Sequence, residues 1–175
     1  MHVRPLPAEE RPLRRYVEQL WLPYHRELEA TVGGHALAED VDLVAEEVAF
    51  RRERVATTPQ EVSVAVDDGR PAEVEEVEEG EGRFVGFVTT DIDEAPTVFD
   101  RPDRLVVDDI YVREPYRGTG LARELMAHAA DRARAAGCPE LALDVDADNP
   151  RAAAFYEKLG FESLQRRLTL PADAL

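Results

Sequence analysis

The run from Val112 to Ala122, Val-Arg-Glu-Pro-Tyr-Arg-Gly-Thr-Gly-Leu-Ala, constrains this chain more than any other stretch, because an apolar strand-like segment ends there, turns through proline and glycine, and passes into a helix-forming sequence. The first N–H groups of a helix lack intrahelical partners and carry the positive end of its dipole, so a strand-to-helix junction of this kind suits a diphosphate. Gly118 and Gly120 let the backbone close around such an anion, since glycine has no Cβ and takes positive φ. Arg117, with Arg113 and Arg123 nearby, adds fixed positive charge. By its chemistry the segment is a nucleotide or coenzyme site.

The rest of the chain supplies alternating helix and strand signals around it. His2 to Leu6 reads as a short first strand, and Leu13, Val17, Leu20, Tyr24 and Leu28 then recur at helical spacing, in a helix that Pro23 should kink or divide. After Gly33-Gly34, the residues Leu37, Val41, Val44 and Val48 share one face of a second helix. Strands follow at Val62–Val66, Arg83–Thr90 and Leu105–Val112, with an exposed acidic loop over about 67–82 and an acidic turn, Asp91 to Pro96, as a candidate border of an acceptor site. The helix after the glycine turn carries Leu121, Leu125, Ala129 and Ala133 on one face and stops at Gly137. Glu140–Val145 forms a strand, Asn149-Pro150 caps and opens a short helix that Gly160 closes, and Phe161–Leu170 makes a last strand.

Composition narrows the class of partner. With 175 residues the chain suits one domain, and no apolar run approaches the eighteen residues of a membrane span. The segment Met1 to Pro7 lacks the apolar stretch of a signal peptide, so a soluble, cytoplasmic protein with no membrane partner is expected. Cys138 stands alone, which excludes an internal disulfide and fits a reducing compartment. The four histidines, His2, His25, His35 and His128, show no metal-ligand spacing, and no metal is expected. A net charge of −16 repels nucleic acid and favours cationic substrates. Lys158 is the single lysine among 21 basic residues. That surplus of carboxylates with almost no lysine resembles the composition of proteins from salt-accumulating halophiles.

Two motifs in order point to a family. Arg117-x-x-Gly120-x-Ala122 is similar to the R/Q-x-x-G-x-G/A pyrophosphate loop of the GNAT superfamily, the acetyl-coenzyme A-dependent N-acetyltransferases, and Asn149 to Phe161, Asn-Pro-Arg-Ala-Ala-Ala-Phe-Tyr-Glu-Lys-Leu-Gly-Phe, resembles its second signature. The likeness is specific from about Leu105 to Phe161 and generic before that. It implies an α/β fold: one GNAT-like domain over 1–175, with a mixed, mostly antiparallel sheet splayed between its fourth and fifth strands and flanked by helices.

The resemblance also implies roles. Acetyl-CoA would be the co-substrate, its diphosphate held by Arg117, Gly118, Thr119, Gly120, Leu121 and Ala122, and its pantetheine arm by main-chain groups of Ile110, Tyr111 and Val112, one of whose N–H groups polarises the thioester. Asn149 would contact the coenzyme or orient its helix, and Tyr156, seven residues on, would protonate the departing thiol. The expected base is Asp144 or a water it holds, with Asp108 and Asp109 as rivals. Asp144 lies five residues before Asn149, where peptide N-terminal acetyltransferases of this layout carry a carboxylate, while Asp108 and Asp109 lie on the strand used by other branches. The implied reaction is direct acetyl transfer to a primary amine in a ternary complex, the acceptor being a peptide α-amine, a polyamine or another small amine, in a monomer or homodimer. The alternative is a non-catalytic acetyl-CoA-binding sensor or interaction module.

Overall fold

The computed structural model describes residues 1–32, 34–69 and 82–174. Runs of β-branched and aromatic residues form a five-stranded sheet whose spatial order follows the chain: β1 (His2–Pro5), β2 (Glu61–Asp67), β3 (Arg83–Asp93), β4 (Arg104–Val112) and β5 (Glu140–Leu143). The first four strands pair antiparallel, and β5 lies parallel to β4. Val62–Val66 and Phe84–Thr90 are buried without interruption, because both faces of the sheet are covered. That pairing of β4 with β5 spans only Arg104–Val107, so the two strands part beyond it. Thr89 opposes Asp109 and Thr90 opposes Val107, which leaves Asp108 as an extra residue in a bulge at the point of parting.

One face of the sheet is covered by a long helical segment in three parts: α1 (Glu10–Tyr16), a π-helical stretch (Val17–Trp21) and α2 (Leu22–Thr31). Pro23 neither stops this helix nor simply bends it. Proline has no N–H, and its ring crowds the carbonyl four residues back, here that of Gln19. The backbone accommodates both by widening its turn just before the ring, where Leu22 N–H reaches back five residues to the Val17 carbonyl. Leu13, Tyr16, Val17 and Leu20 are thereby all turned inward onto Val62, Val64, Val66, Phe84 and Phe87.

The next helix, α3 (Leu43–Thr57), starts later than the apolar spacing suggests. Asp42 Oδ1 accepts the Ala45 N–H at 3.0 Å and so caps the helix, leaving Leu37 and Val41 in the preceding non-helical segment, Val41 exposed. On the opposite sheet face lies α4 (Leu121–Ala135), with Leu121, Leu125, Met126, Ala129 and Ala133 buried. Gly86 of β3 permits this approach: a Cβ there would stand 2.8 Å from the Tyr111 carbonyl oxygen and 3.3 Å from Leu125 Cδ1. His128 of α4 is half-buried, its Nε2 lying 2.9 Å from Oγ of the buried Ser63. Of the expected acidic loop, residues 70–81 lie outside the described residues.

The chain divides into two units, Met1–Asp144 and Val145–Leu175. The second holds α5 (Pro150–Leu159), capped by Asn149 Oδ1 on the Ala152 N–H at 3.1 Å and closed at Gly160, after which Phe161 N–H donates to the Tyr156 carbonyl. Tyr156 packs its ring between those of Phe155 and Phe161. The strand expected over Phe161–Leu170 does not form: residues 161–171 have no regular structure, and Leu164, Leu168 and Leu170 are exposed. Alternating apolar residues are compatible with a strand but do not make one, because the ladder hydrogen bonds must come from a neighbour.

Candidate active site

The glycine turn joins β4 to α4 through a short run of local hydrogen bonds. After β4, a single 3-10 turn (Glu114–Tyr116) closes with Tyr116 N–H on the Arg113 carbonyl and Arg117 N–H on the Glu114 carbonyl. Arg123 and Glu124 N–H groups then return to the Gly120 carbonyl. Between these bonds, none of the N–H groups of Gly118, Thr119, Gly120, Leu121 and Ala122 donates to another group among the described residues. Gly118 and Gly120 have φ of 78° and 98°, and a Cβ at either would meet nothing within 4 Å. Five consecutive donors at the positive end of a 15-residue helix are thus without a partner among the described residues, with open space beside the two glycines.

Past Val107 the β4 edge beside this turn has no strand partner among the described residues, although the Val112 carbonyl accepts from Arg117 Nε. Arg113 N–H donates to Val85 of β3 at 3.0 Å. Since main-chain groups alternate sides along a strand, Tyr111 and Asp109 turn theirs toward β3, while Ile110 and Val112 turn theirs to the side where β5 has ended. An extended amide-bearing chain can pair there as an added strand.

Arg117 does not simply lend its charge to the cradle. Its Nε donates to the Val112 carbonyl at 2.9 Å, its Nη2 to Glu27 Oε2 of α2 at 2.6 Å, and the guanidinium lies 5.6 Å from the Tyr111 ring centroid. The other Glu27 oxygen accepts the Tyr111 hydroxyl at 2.7 Å. Partial burial, then this carboxylate, push the Tyr111 phenol up to about 12. Arg117 is thus a strut between the loop, β4 and α2, and its charge is half met by Glu27, a residue that no motif marks.

Asp109 turns its carboxylate to the face covered by α1, α2 and α3, and meets a buried polar network there. Arg51 of α3, with only 7% of its side chain exposed, donates through Nε to Glu47, lies 3.6 Å through Nη2 from Asp109 Oδ2, and donates through Nη1 to Gln60 Oε1 at 3.3 Å. Gln60 Nε2 passes the chain on to Asp108 Oδ2 at 3.2 Å. Three carboxylates so share one guanidinium. Desolvation raises the Glu47 pKa; it also raises that of Asp108, with repulsion from Asp109 and then Asp91 adding to it. Asp108 is exposed as a residue, yet its carboxyl is close enough to protein on the bulge for this to act.

Burial lowers the His25 pKa against the pull of Asp109, so its imidazole is neutral near pH 7, and its Nε2 is buried without a hydrogen-bond partner among the described residues, as are Tyr16 Oη, Trp21 Nε1 and Thr89 Oγ1. Asp144 follows β5 directly and is exposed. Tyr156 and Asn149 belong to the second unit, Tyr156 partly buried in its aromatic cluster. Cys138 is buried, and burial raises its thiol pKa, the reverse of what a nucleophile needs. No helix is long and apolar enough to cross a membrane, and no group of three metal-ligating side chains occurs, among the described residues.

An open strand edge leading into a glycine cradle at a helix N-terminus defines an α/β coenzyme-binding fold. The acetyltransferase (GNAT) family matches residues 42–161, well over half of the chain, and the chain belongs to that family. It is 34% identical over 91 residues to the glucosamine 6-phosphate N-acetyltransferase of Trypanosoma brucei brucei, an alignment covering 51% of this chain and 58% of that enzyme. Among solved structures, the BH1408 protein of Bacillus halodurans, as a tetramutant, superposes with a TM-score of 0.71 at 18% identity, covering 98% of this chain and 99% of the other. The aminoglycoside N-acetyltransferase AAC(6')-Iy in complex with CoA superposes with a TM-score of 0.64 at 18% identity, covering 97% and 93%. These two share the fold.

Proposed function

We propose that the protein binds acetyl-coenzyme A along the open edge of β4 and in the Gly118–Ala122 cradle, and transfers the acetyl group to a primary amine by direct attack in a ternary complex. The observation that carries this reading is the row of five unpaired N–H groups directly after an unpaired strand edge, which matches a diphosphate followed by an amide-bearing arm. Family membership supplies the acetyl chemistry, and two relatives act on amino sugars or aminoglycosides by name.

In the proposed reaction the acceptor ammonium gives a proton to a carboxylate, its freed lone pair forms the C–N bond at the acetyl carbonyl, and the C–S bond breaks. The thiolate takes a proton from Tyr156, whose motif position supports that role, and the second ammonium proton leaves to solvent. Asp109 is the favoured base. It is the best-buried carboxylate on the strand next to the open Ile110 edge, where low dielectric strengthens its pull on an ammonium. Asp144 is the rival carboxylate. A surplus of acidic over basic groups at the bulge favours a cationic acceptor over an anionic one.

The test is release of free coenzyme A thiol against a panel containing an aminoglycoside, glucosamine 6-phosphate, spermidine and a peptide with a free N-terminus. Release with one or more of these supports transfer. Tight acetyl-CoA binding without release from any amine would favour the sensor or interaction module. With a productive amine, Asp109→Asn should cost more than Asp144→Asn at moderate pH, and raising the pH should recover part of the loss because the amine then deprotonates unaided. The opposite ranking moves the base to Asp144.

A further inference from the structure

We infer that Arg51 is a positioning residue for the reaction: clamped by Glu47, its guanidinium fixes the orientation of the Asp109 carboxylate at the β4 bulge, where an incoming ammonium would meet it. This rests on the reading of Asp109 as the base.

The placement of Arg51 is the first argument. Along α3, Val44, Val48 and Arg51 follow the spacing of one helix face, and Val48 and Arg51 are both buried. Arg51 thus occupies a core position where an aliphatic side chain would avoid the cost of desolvating a cation. Its neighbours Arg52 and Arg54 show what an arginine on this helix does otherwise: Arg52 is 64% exposed, and Arg54 pairs with Asp91 at 2.6 Å on a half-open side. Stability alone gives little reason to bury Arg51, since a buried ion pair is often no better than a hydrophobic replacement.

The second argument is the geometry of what it touches. One edge of the guanidinium meets Glu47 on its own helix, which sets its orientation, and the remaining nitrogens reach two places on the sheet, Asp109 directly and Asp108 through Gln60. Asp108 and Asp109 are consecutive, and one of them is the bulged residue, so their carboxylates would repel each other without a cation between the helix and the strand. Among the described residues, the other groups shown to interact electrostatically with Asp109 are Tyr16 from α1, the neutral His25 from α2, Glu47 from α3 and Asp108 from β4, with Asp91 of β3 acting on Asp108 and His35 acting on His25. Arg51 is the cation that these contacts place against Asp109, so its loss would leave the carboxylate without the partner that fixes its direction.

The experiment uses the full chain with whichever panel amine is productive, and measures kcat and the amine KM separately, together with acetyl-CoA affinity by calorimetry. Arg51→Met should lower kcat at least tenfold and leave acetyl-CoA affinity within about twofold. Arg51→Lys should restore most of kcat. Glu47→Gln keeps the guanidinium but removes its clamp, so it should lower kcat in the same direction by a smaller factor; it also decides the matter if Arg51→Met does not fold.

An unchanged kcat in Glu47→Gln and in whichever Arg51 variant folds, with Asp109→Asn still impaired, overturns the role of Arg51 while leaving Asp109 as base. So does loss of rate in Arg51→Met that Arg51→Lys does not recover. Full activity of Asp109→Asn overturns the base assignment, and this proposal with it, without touching coenzyme binding.

Discussion

Gly120 separates the demands of folding from those of coenzyme binding. It stands at the N-cap of α4 with φ of 98° and ψ of −8°, a left-handed conformation, and an added Cβ would meet nothing within 4 Å. Gly120→Ala should therefore cost only the backbone strain of an L-residue there, about 1–2 kcal/mol, with no steric term on top. For a chain of this size that is a fall in Tm of about 2–8 °C. Binding should suffer more. The open space that makes the Cβ harmless to the free protein lies in front of the five N–H donors, and a hydrogen bond to a charged group contributes about 1.5–3 kcal/mol. Losing one such bond weakens affinity by about tenfold or more. Gly120→Val, with two further methyls in the cradle, should lose at least that while remaining folded by circular dichroism. Gly86→Ala is the contrast: its Cβ would press to 2.8 Å on a backbone oxygen that cannot swing away, so it should destabilise the sheet with no selective effect on the coenzyme. The assay is calorimetric titration of acetyl-CoA beside thermal melts. Affinity of Gly120→Val within about twofold of wild type would refute the cradle as the diphosphate site.

Three further outcomes are expected. Tyr156→Phe keeps the ring packed against Phe155 and Phe161 and removes the proton donor, so kcat should fall by about 10²–10⁴-fold with acetyl-CoA affinity unchanged; kcat within about twofold, where chemistry limits the rate, would assign the proton to another source. Asn149→Ala removes the α5 cap and should destabilise that helix by about 0.5–2 kcal/mol, while Asn149→Asp keeps the cap; weakened acetyl-CoA binding in Asn149→Asp, seen by the same titration, would add a direct coenzyme contact to the capping role. The melting temperature should rise as KCl increases to molar concentration, because a net charge of −16 repels itself and 1 M salt shortens the screening length to about 3 Å; a Tm independent of KCl would remove the halophile-like reading of the composition, and a sulfate series separates screening from salting-out.

The parts of this protein legible in its sequence are those whose causes lie within a few residues. Asn149-Pro150 begins a helix and Gly160 ends it because cap bonds join near neighbours, and Gly118 and Gly120 mark the turn into α4 because a positive φ is a property of the residue itself. The β2 span and the start of β3 were legible for a related reason, since an uninterrupted apolar run is buried whichever neighbour covers it, whereas β3 continues to Asp93 through residues expected to turn.

What needed the tertiary structure is every feature decided by a distant partner. Nothing around Glu27 marks it as the acceptor for Tyr111 and Arg117, which lie 84 and 90 residues away. Arg51 and Arg52 are indistinguishable as letters, yet one is buried against Asp109 and the other is solvated. The leucines of the segment Phe161–Leu170 alternate well enough for a strand and form none, while Leu37 and Val41 fit a helical spacing that the Asp42 cap cuts short. Periodicity states which side of a segment is apolar. Whether an edge is paired, a charge neutralised or a helix begun a turn later depends on which groups the fold brings within a few ångströms, and that is a property of the packed chain.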